Sequence, residues 1–413
     1  MTSLLAAPVR AVRTLRDLPP PPKDGRLSDL ITLVCLGMVP LALAAHALLP
    51  SKYFTDGRVL QSIATGEYLP LEDTSFLYVG RLYAFLGMAH SPLAAGALGL
   101  ALSIIAFWAA LRRARGRVTL PAVFLIAVFA VLSSVYLSQF SKDVWVLPVS
   151  IIVLLAPKGW RGDLLIVPAM ILYASYFRQY WFLVLGLYLL FRLVTAVRAR
   201  RRYLALAVLV GTLGAVLVAP VVLGEPLEQA RTSVNLERSS SADAVTQINP
   251  VQYGSNAVAD TVEDMVTLAQ LVVPTPLASA GSPIYLGYLV LITGLWGVFG
   301  WAVVGSRRRL VSGRPTKEID DWALRCGLLV LAFLTTQSYF EPDYGSYLKH
   351  LSPVLPVLIA AALGWRGTPL LVPGPAALTP PGDPRPEDGA PAAPELFTAS
   401  NDPHPAGKRR DPR

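Results

Sequence analysis

Runs of roughly 20 predominantly apolar residues recur along most of this chain, and no other feature narrows its possible folds as much. A water-soluble globule is excluded, because its surface would have to display most of those runs. Of 413 residues, 54% are hydrophobic and 15% charged, with a mean hydropathy of +0.50; a soluble domain carries about 25% charged residues. The 35 Pro and 31 Gly follow no Gly-X-Y period, so a collagen-like chain is excluded too. Cys35 and Cys326 both fall inside apolar runs, which argues against a disulfide framework or a cysteine zinc site. The expected fold class is all-α: a polytopic helical membrane protein.

The net charge of +9 does not point to nucleic acid, because the basic residues lie in short blocks between apolar runs. Spans are expected at about 30–49, 92–111, 120–139, 144–157, 164–177, 180–197, 204–223, 284–305, 322–340 and 351–365. A polar arm, 1–29, carries Arg10, Arg13, Arg16, Lys23 and Arg26 and precedes the first run, which lacks a small-residue cleavage site. That run is read as a retained helix with its amino end in the cytoplasm. The loops after even-numbered spans then hold Arg112/Arg113/Arg115/Arg117, Lys158/Arg161, Arg198/Arg200/Arg201/Arg202 and Arg307/Arg308/Arg309/Arg314/Lys317. With the arm they hold about 20 Lys or Arg, against about eight on the other side, so both termini are expected inside. Runs 144–157 and 164–177 have only about 14 residues, roughly 21 Å of helix against a ~30 Å hydrocarbon core. They read as tilted pieces, a thin spot, a re-entrant hairpin, or spans longer than drawn.

Three segments are not expected to span. Residues 50–91 form an exoplasmic loop with interfacial helices near 57–65 and 76–88. Residues 224–283 form a second such loop, with an amphipathic stretch near 257–273. Residues 366–413, rich in Pro, Gly, Ala and charge, are expected to be a disordered cytoplasmic tail. Residues 30–365 are the expected transmembrane catalytic domain.

Charged residues beside apolar spans are costly and mark candidate sites. Asp56 and Arg58 follow the first span in SKYFTDGR; Lys142 and Asp143 sit in FSKDVW; Arg178, with Tyr180, sits in FRQYW. Glu341, Asp343, Tyr344, Lys349 and His350 occupy EPDYGSYLKH. On this topology four segments distant in sequence bring acids and bases to the exoplasmic face. Arg and Lys there suit a phosphate or pyrophosphate, and a carboxylate beside them can act as general base toward a hydroxyl. Each residue also has a structural reading. Asp56 would cap a helix starting near Gly57, Lys142 and Asp143 would neutralise each other, and Arg58 and Arg81 would anchor to headgroups. Arg178 and its aromatic neighbours would be an interfacial belt, Glu341 and Asp343 solvated turn residues, and His350 a packing residue. His46 and His90 show no metal-ligand spacing.

The stretch YFTDGRVLQSIATGEYLP after the first span, and the closing YGSYLKHLSPVLPVLIAAA, resemble the GT-C superfamily of membrane glycosyltransferases. The resemblance runs in element order over about 30–365. It implies juxtamembrane helices in the first exoplasmic loop and a polyprenyl-phosphate-linked sugar donor. It makes Asp56 the catalytic aspartate and puts Lys349 and His350 where a phosphate-contacting group belongs; the family's second acid beside the aspartate is here Gly57. The FSKDVW and FRQYW turns resemble bacterial polysaccharide polymerases of the Wzy and EpsG type, in which Lys142, Asp143 and Arg178 would form the corresponding basin.

The expected function is glycosyl transfer at the exoplasmic face of a bacterial cytoplasmic membrane, in cell-envelope or exopolysaccharide synthesis. Asp56 is expected to be catalytic. Arg178, Lys142, Lys349, His350 and Arg58 are assigned to the donor phosphate, and Asp143, Tyr180, Glu341, Asp343 and Tyr344 to substrate. The partners expected are the lipid-linked donor, a glycan or lipid-linked acceptor and membrane lipid. No metal site is assigned, although a divalent cation at Asp143, Glu341 and Asp343 is an alternative. Rival readings are a polymerase, a flippase or transporter of lipid-linked sugars, and a non-catalytic scaffold. The transporter reading would favour internal repeats and broken helices at the midplane; no convincing internal repeat is visible.

Overall fold

The computed structural model describes residues 25–50, 54–69, 74–113, 120–196, 203–223, 246, 248, 256–279, 282–311 and 321–366, all within one compact unit, 1–372. Most of the basic arm and, beyond Arg366, the tail lie outside the described residues.

Helices stand at every expected run. They are α1 (Gly25–Leu48), α4 (Pro92–Arg113), α5 (Leu120–Tyr136), α6 (Val146–Leu155), α7 (Trp160–Tyr176), α8 (Trp181–Ala196), α9 (Leu204–Leu223), α12 (Pro283–Val311), α13 (Asp321–Phe340) and α15 (Leu355–Arg366). Among the described residues five segments are long and apolar enough to cross a membrane: Ile31–Leu48, Pro92–Leu111, Tyr285–Ala302, Asp321–Phe340 and the composite Tyr344–Gly364. The architecture is all-helical and consistent with a helical membrane protein. The short pair resolves into a 3-10 turn (Asp143–Trp145) running into α6, then α7 packed against α6. The sequence boundary of α7 was too tight by four residues: the helix starts at Trp160, directly after Gly159, whose φ of 74° suits a residue without a Cβ. Its 17 residues give about 25 Å.

The packing inverts the rule for soluble proteins. Only 17% of the Ile31–Leu48 segment is buried, with Leu33, Leu36 and Leu43 outside, although it is among the most apolar. The least apolar of the five, Asp321–Phe340, is 89% buried and takes Arg325, Thr335, Thr336, Gln337 and Ser338 into the interior. Lipid solvates apolar side chains, so the polar ones are the groups that need protein partners. Helices α13 and α15 form the centre, packing on each other, with α8 and α10 against α13 and α4 and α12 against α15.

Interfacial helices were expected near 57–65 and 76–88; α2 (Thr55–Thr65) and α3 (Thr74–Phe85) are found, packed together through Leu60, Ala64, Val79 and Tyr83. The stretch near 257–273 is α10 (Ala257–Val272), capped by Asn256, whose side chain accepts from the N–H of Val258 (3.1 Å) and Ala259 (3.0 Å). It lies against α9 and α13 with Glu263 and Asp264 buried and Val258 and Val262 exposed, so it packs on the bundle along one face. A short α11 (Pro276–Ser279) follows it, and α14 (Tyr344–Leu351) precedes a 3-10 turn (Ser352–Val354) into α15. Trp296 of α12 donates to the Tyr347 hydroxyl at 2.8 Å and pins α14.

Candidate functional site

Four turns meet at one end of this bundle. The first carries Asp56, in the first turn of α2, where a negative charge favours the helix dipole. The structural reading of Asp56 as a helix cap does not hold: the helix begins at Thr55, Phe54 precedes it, and no side chain caps it. The Asp56 carboxylate instead reaches Lys349 of α14, 293 positions away, in an ion pair. Burial works to raise the Asp56 carboxyl, but Lys349, with Lys142 and Arg178 beyond it, outweighs that and holds it down at about 2. Gly57 permits a close approach. A Cβ there would sit 3.0 Å from Gln139 Oε1 and 3.1 Å from Phe140 O, so α2 lies against the 139–140 backbone because position 57 has no side chain.

The second turn, FSKDVW, is held from below. Gly99 of α4 lets two backbones touch, since a Cβ there would lie 1.8 Å from Leu137 O. Tyr83 of α3 donates its hydroxyl to Ser141 O at 3.1 Å, and the Asp143 N–H donates to Ser141 Oγ at 3.1 Å. In their structural reading Asp143 and Lys142 would neutralise each other; Lys142 precedes the 3-10 turn that Asp143 opens, and the two find different partners. Lys142 turns to Ser75 Oγ (3.3 Å) and over the Phe76 ring (3.5 Å) of α3. Asp143, its side chain 2% exposed, takes Arg178 at 2.9 Å.

Arg178, in the third turn, is the hub. Its Nη2 donates to Asp143; its Nη1 donates to His350 Nε2 at 3.0 Å and toward the Tyr180 hydroxyl at 3.4 Å. Desolvation disfavours both charges of the Asp143–Arg178 pair, but each holds the other ionised: the carboxyl is lowered and the guanidinium raised. His350 Nδ1 meets Glu341 Oε2 at 2.8 Å, and Glu341 is 1% exposed.

The fourth turn, EPDYGSYLKH, is built by two devices. Asp343 is the N-cap of α14, its carboxylate accepting from Ser346 N (2.7 Å) and Ser346 Oγ (3.0 Å). The long loop returns to it: Ile248 N donates to Pro342 O at 2.8 Å, and Tyr344 N donates to Thr246 O at 3.1 Å. Along α14, Tyr344, Tyr347, Leu348 and Leu351 face the core at helical spacing, which leaves Lys349 and His350 at the basin.

Of the residues singled out in the sequence, Asp56, Lys142, Asp143, Arg178, Tyr180, Glu341, Lys349 and His350 therefore come together. Asp343 serves α14, Tyr344 is buried in the core, and Arg58 is exposed, reaching Thr55 within its own helix at 3.5 Å. The basin balances three cations (Lys142, Arg178, Lys349) against three acids (Asp56, Asp143, Glu341). Asp143, Glu341 and Asp343 do not converge on a cation, and among the described residues no group of three or more His, Cys, Asp or Glu has metal-ligand geometry.

A second charged cluster, which sequence reasoning missed, sits at the ends of α7, α8 and α13 opposite to those that carry the basin. Arg192 of α8 donates to Asp163 of α7 (2.8 and 3.2 Å) and Asp321 of α13 (2.8 Å). Arg325, 0% exposed, reaches Asp321 (3.2 Å) and the carbonyls of Pro157 (2.9 Å) and Gly159 (3.0 Å). Tyr188 donates to Asp163 at 2.5 Å, and Gly159 N donates to Asp321 at 2.8 Å. Arg192 and Arg325 lie inside apolar runs; the cost of charge at membrane depth was the signal that could have found them.

Compared with protein-family models, curated proteins and solved structures, the chain matches none.

Proposed function

We propose that this chain is an integral membrane glycosyltransferase with a GT-C-like arrangement of ten spans. Its termini lie in the cytoplasm of a bacterial cell and its Asp56 basin at the exoplasmic face. It moves a sugar or oligosaccharide from a polyprenyl-phosphate-linked donor to a hydroxyl of a glycan or lipid-linked acceptor, in envelope or exopolysaccharide synthesis. One observation carries the reading. Asp56, Lys142, Asp143, Arg178 and Lys349, brought by turns far apart in sequence, share one basin at one end of an apolar bundle.

In the step itself Asp56 takes the proton of the acceptor hydroxyl, and that oxygen bonds to the anomeric carbon. The bond from this carbon to the phosphate oxygen breaks, and the electron pair leaves with polyprenyl phosphate. Arg178, Lys142 and Lys349 stabilise the charge that collects there, which is where preorganised cations act most strongly. A carboxyl held near 2 is a weak base, so the donor phosphate has a second task. By drawing Lys349 to itself it frees Asp56, and the donor must bind before the acceptor is activated.

The test is transfer by purified protein from a polyprenyl-phosphate-linked sugar pool, comparing wild type with Asp56→Asn and Arg178→Ala at equal folded yield. Transfer by wild type and none by either variant supports the reading; full activity in Asp56→Asn removes Asp56 as the base. Product length separates a single transfer from a Wzy-like polymerisation. The paired charges at the Asp163 end give a flippase its one structural argument, two closed ends on the same helices. Movement of lipid-linked sugar across liposomes without transfer would make that the function.

A further inference from the structure

His350 and Glu341 were expected to touch substrate, yet both ring nitrogens of His350 are already engaged inside the protein. Arg178 is a donor only, so His350 Nε2 must accept from it and carries no proton. The ring proton is then on Nδ1, where Glu341 Oε2 receives it at 2.8 Å. Glu341 is in turn fixed, since its own N–H donates to Gln337 O at 2.9 Å and the next residue is clamped by Ile248. Arg178 is thus gripped on two sides, by Asp143 on Nη2 and by the imidazole on Nη1, while Nε has no partner among the described residues.

We propose that Glu341 and His350 form a positioning dyad that aims the Arg178 guanidinium at the leaving phosphate. Neither residue touches substrate. The idea rests on the functional reading above for what Arg178 binds. Glu341 sets the tautomer, the tautomer makes Nε2 an acceptor, and the acceptor holds Nη1. The charged and titratable groups around this contact are Arg178, Tyr173, Tyr180 and Asp143 on one side and Glu341 on the other, with Lys349, Asp56 and Lys142 across the basin. An arginine held on both sides has given up its rotamer entropy in advance, which is what preorganisation requires.

Two measurements on the full chain test this. The sequence holds four histidines, His46, His90, His350 and His404, so the nitrogen-15 imidazole signals are assignable by difference with His350→Gln. The expected result is a His350 protonated on Nδ1 and bare on Nε2, with the Nε2 signal moving in Arg178→Lys. A His350 protonated on Nε2, or one indifferent to Arg178→Lys, overturns the proposal. The second measurement is the affinity for farnesyl phosphate in detergent at neutral pH. The amide of His350→Gln can accept from Arg178 and donate to Glu341, so this variant should bind within about threefold of wild type. His350→Leu should bind about tenfold more weakly at neutral pH, the loss of one charge-assisted contact. Equal binding by His350→Leu and wild type also overturns it. If wild type transfers no sugar yet both measurements come out as expected, the dyad stands and the glycosyltransferase reading falls.

Discussion

Replacing Asp143 with Asn removes one charge from the basin and almost no volume. The Asp143–Arg178 contact is 2.9 Å long between side chains that are 2% and 12% exposed. At that separation two unit charges in an effective dielectric of about 20 attract by roughly 6 kcal/mol. The neutral amide keeps a hydrogen bond, because its oxygen can still accept from Nη2, but Arg178 is left with no counter-charge in contact. Losing one partner of a buried pair costs about 3–5 kcal/mol, mostly as the penalty of the stranded charge. The expected loss is therefore near the low end, about 3 kcal/mol, or roughly a hundredfold in the folding equilibrium. Reversible unfolding of the protein in mixed micelles, titrated with a denaturing detergent, reads it. The double variant Asp143→Asn/Arg178→Gln strands no charge, so it should be less destabilised than the sum of the two singles, with a coupling of about 1–3 kcal/mol. A loss below about 1 kcal/mol for Asp143→Asn, the size of a solvent-screened pair, would refute the claim that the basin is a low-dielectric site.

Two further outcomes are expected. Because the Asp56 carboxyl is held at about 2, below an ordinary value of ~3.9, its pair with Lys349 contributes stability above pH ~4 that is lost as pH falls toward 2. The stability difference between wild type and Asp56→Asn should vanish over that window, and it should be small and salt-sensitive, since the Asp56 side chain is 46% exposed. Arg325→Met strands the Pro157 and Gly159 carbonyls and tips the Asp163 end to a net negative charge; it should cost about 3–5 kcal/mol in the same detergent titration. Activity per folded molecule should stay unchanged, because that cluster lies about 25 Å from the Arg178 basin along α7.

What could be read in advance follows from what each feature depends on. The helices were legible because a bilayer imposes a length and an apolar composition on anything that crosses it, and those are properties of a linear stretch. The same logic exposed Asp56, Lys142, Asp143, Arg178 and Lys349, which stand out against apolar neighbours. Their pairings were not legible. Lys142 and Asp143 are neighbours in sequence and go to different partners, while Lys349 and Asp56 are 293 positions apart and touch. His350 reads as a packing residue or a phosphate ligand until its two ring nitrogens are seen to be taken. The return of the second loop, through Thr246 and Ile248 onto 342–344, leaves no pattern at all, because its bonds are made by backbone atoms that every residue carries.

By itself the sequence determined that this chain is a bundle of apolar helices, and which charged residues sit at their ends, since hydropathy and span length act on each segment alone. Only the tertiary structure decided that Arg178 is the hub, that Asp56 is masked by Lys349, that Gly57 lies against the 139–140 segment, and that a second network closes the other end. Those are properties of distance and direction between segments. In a medium of low dielectric a displacement of a few ångströms decides whether a charge is paired or stranded.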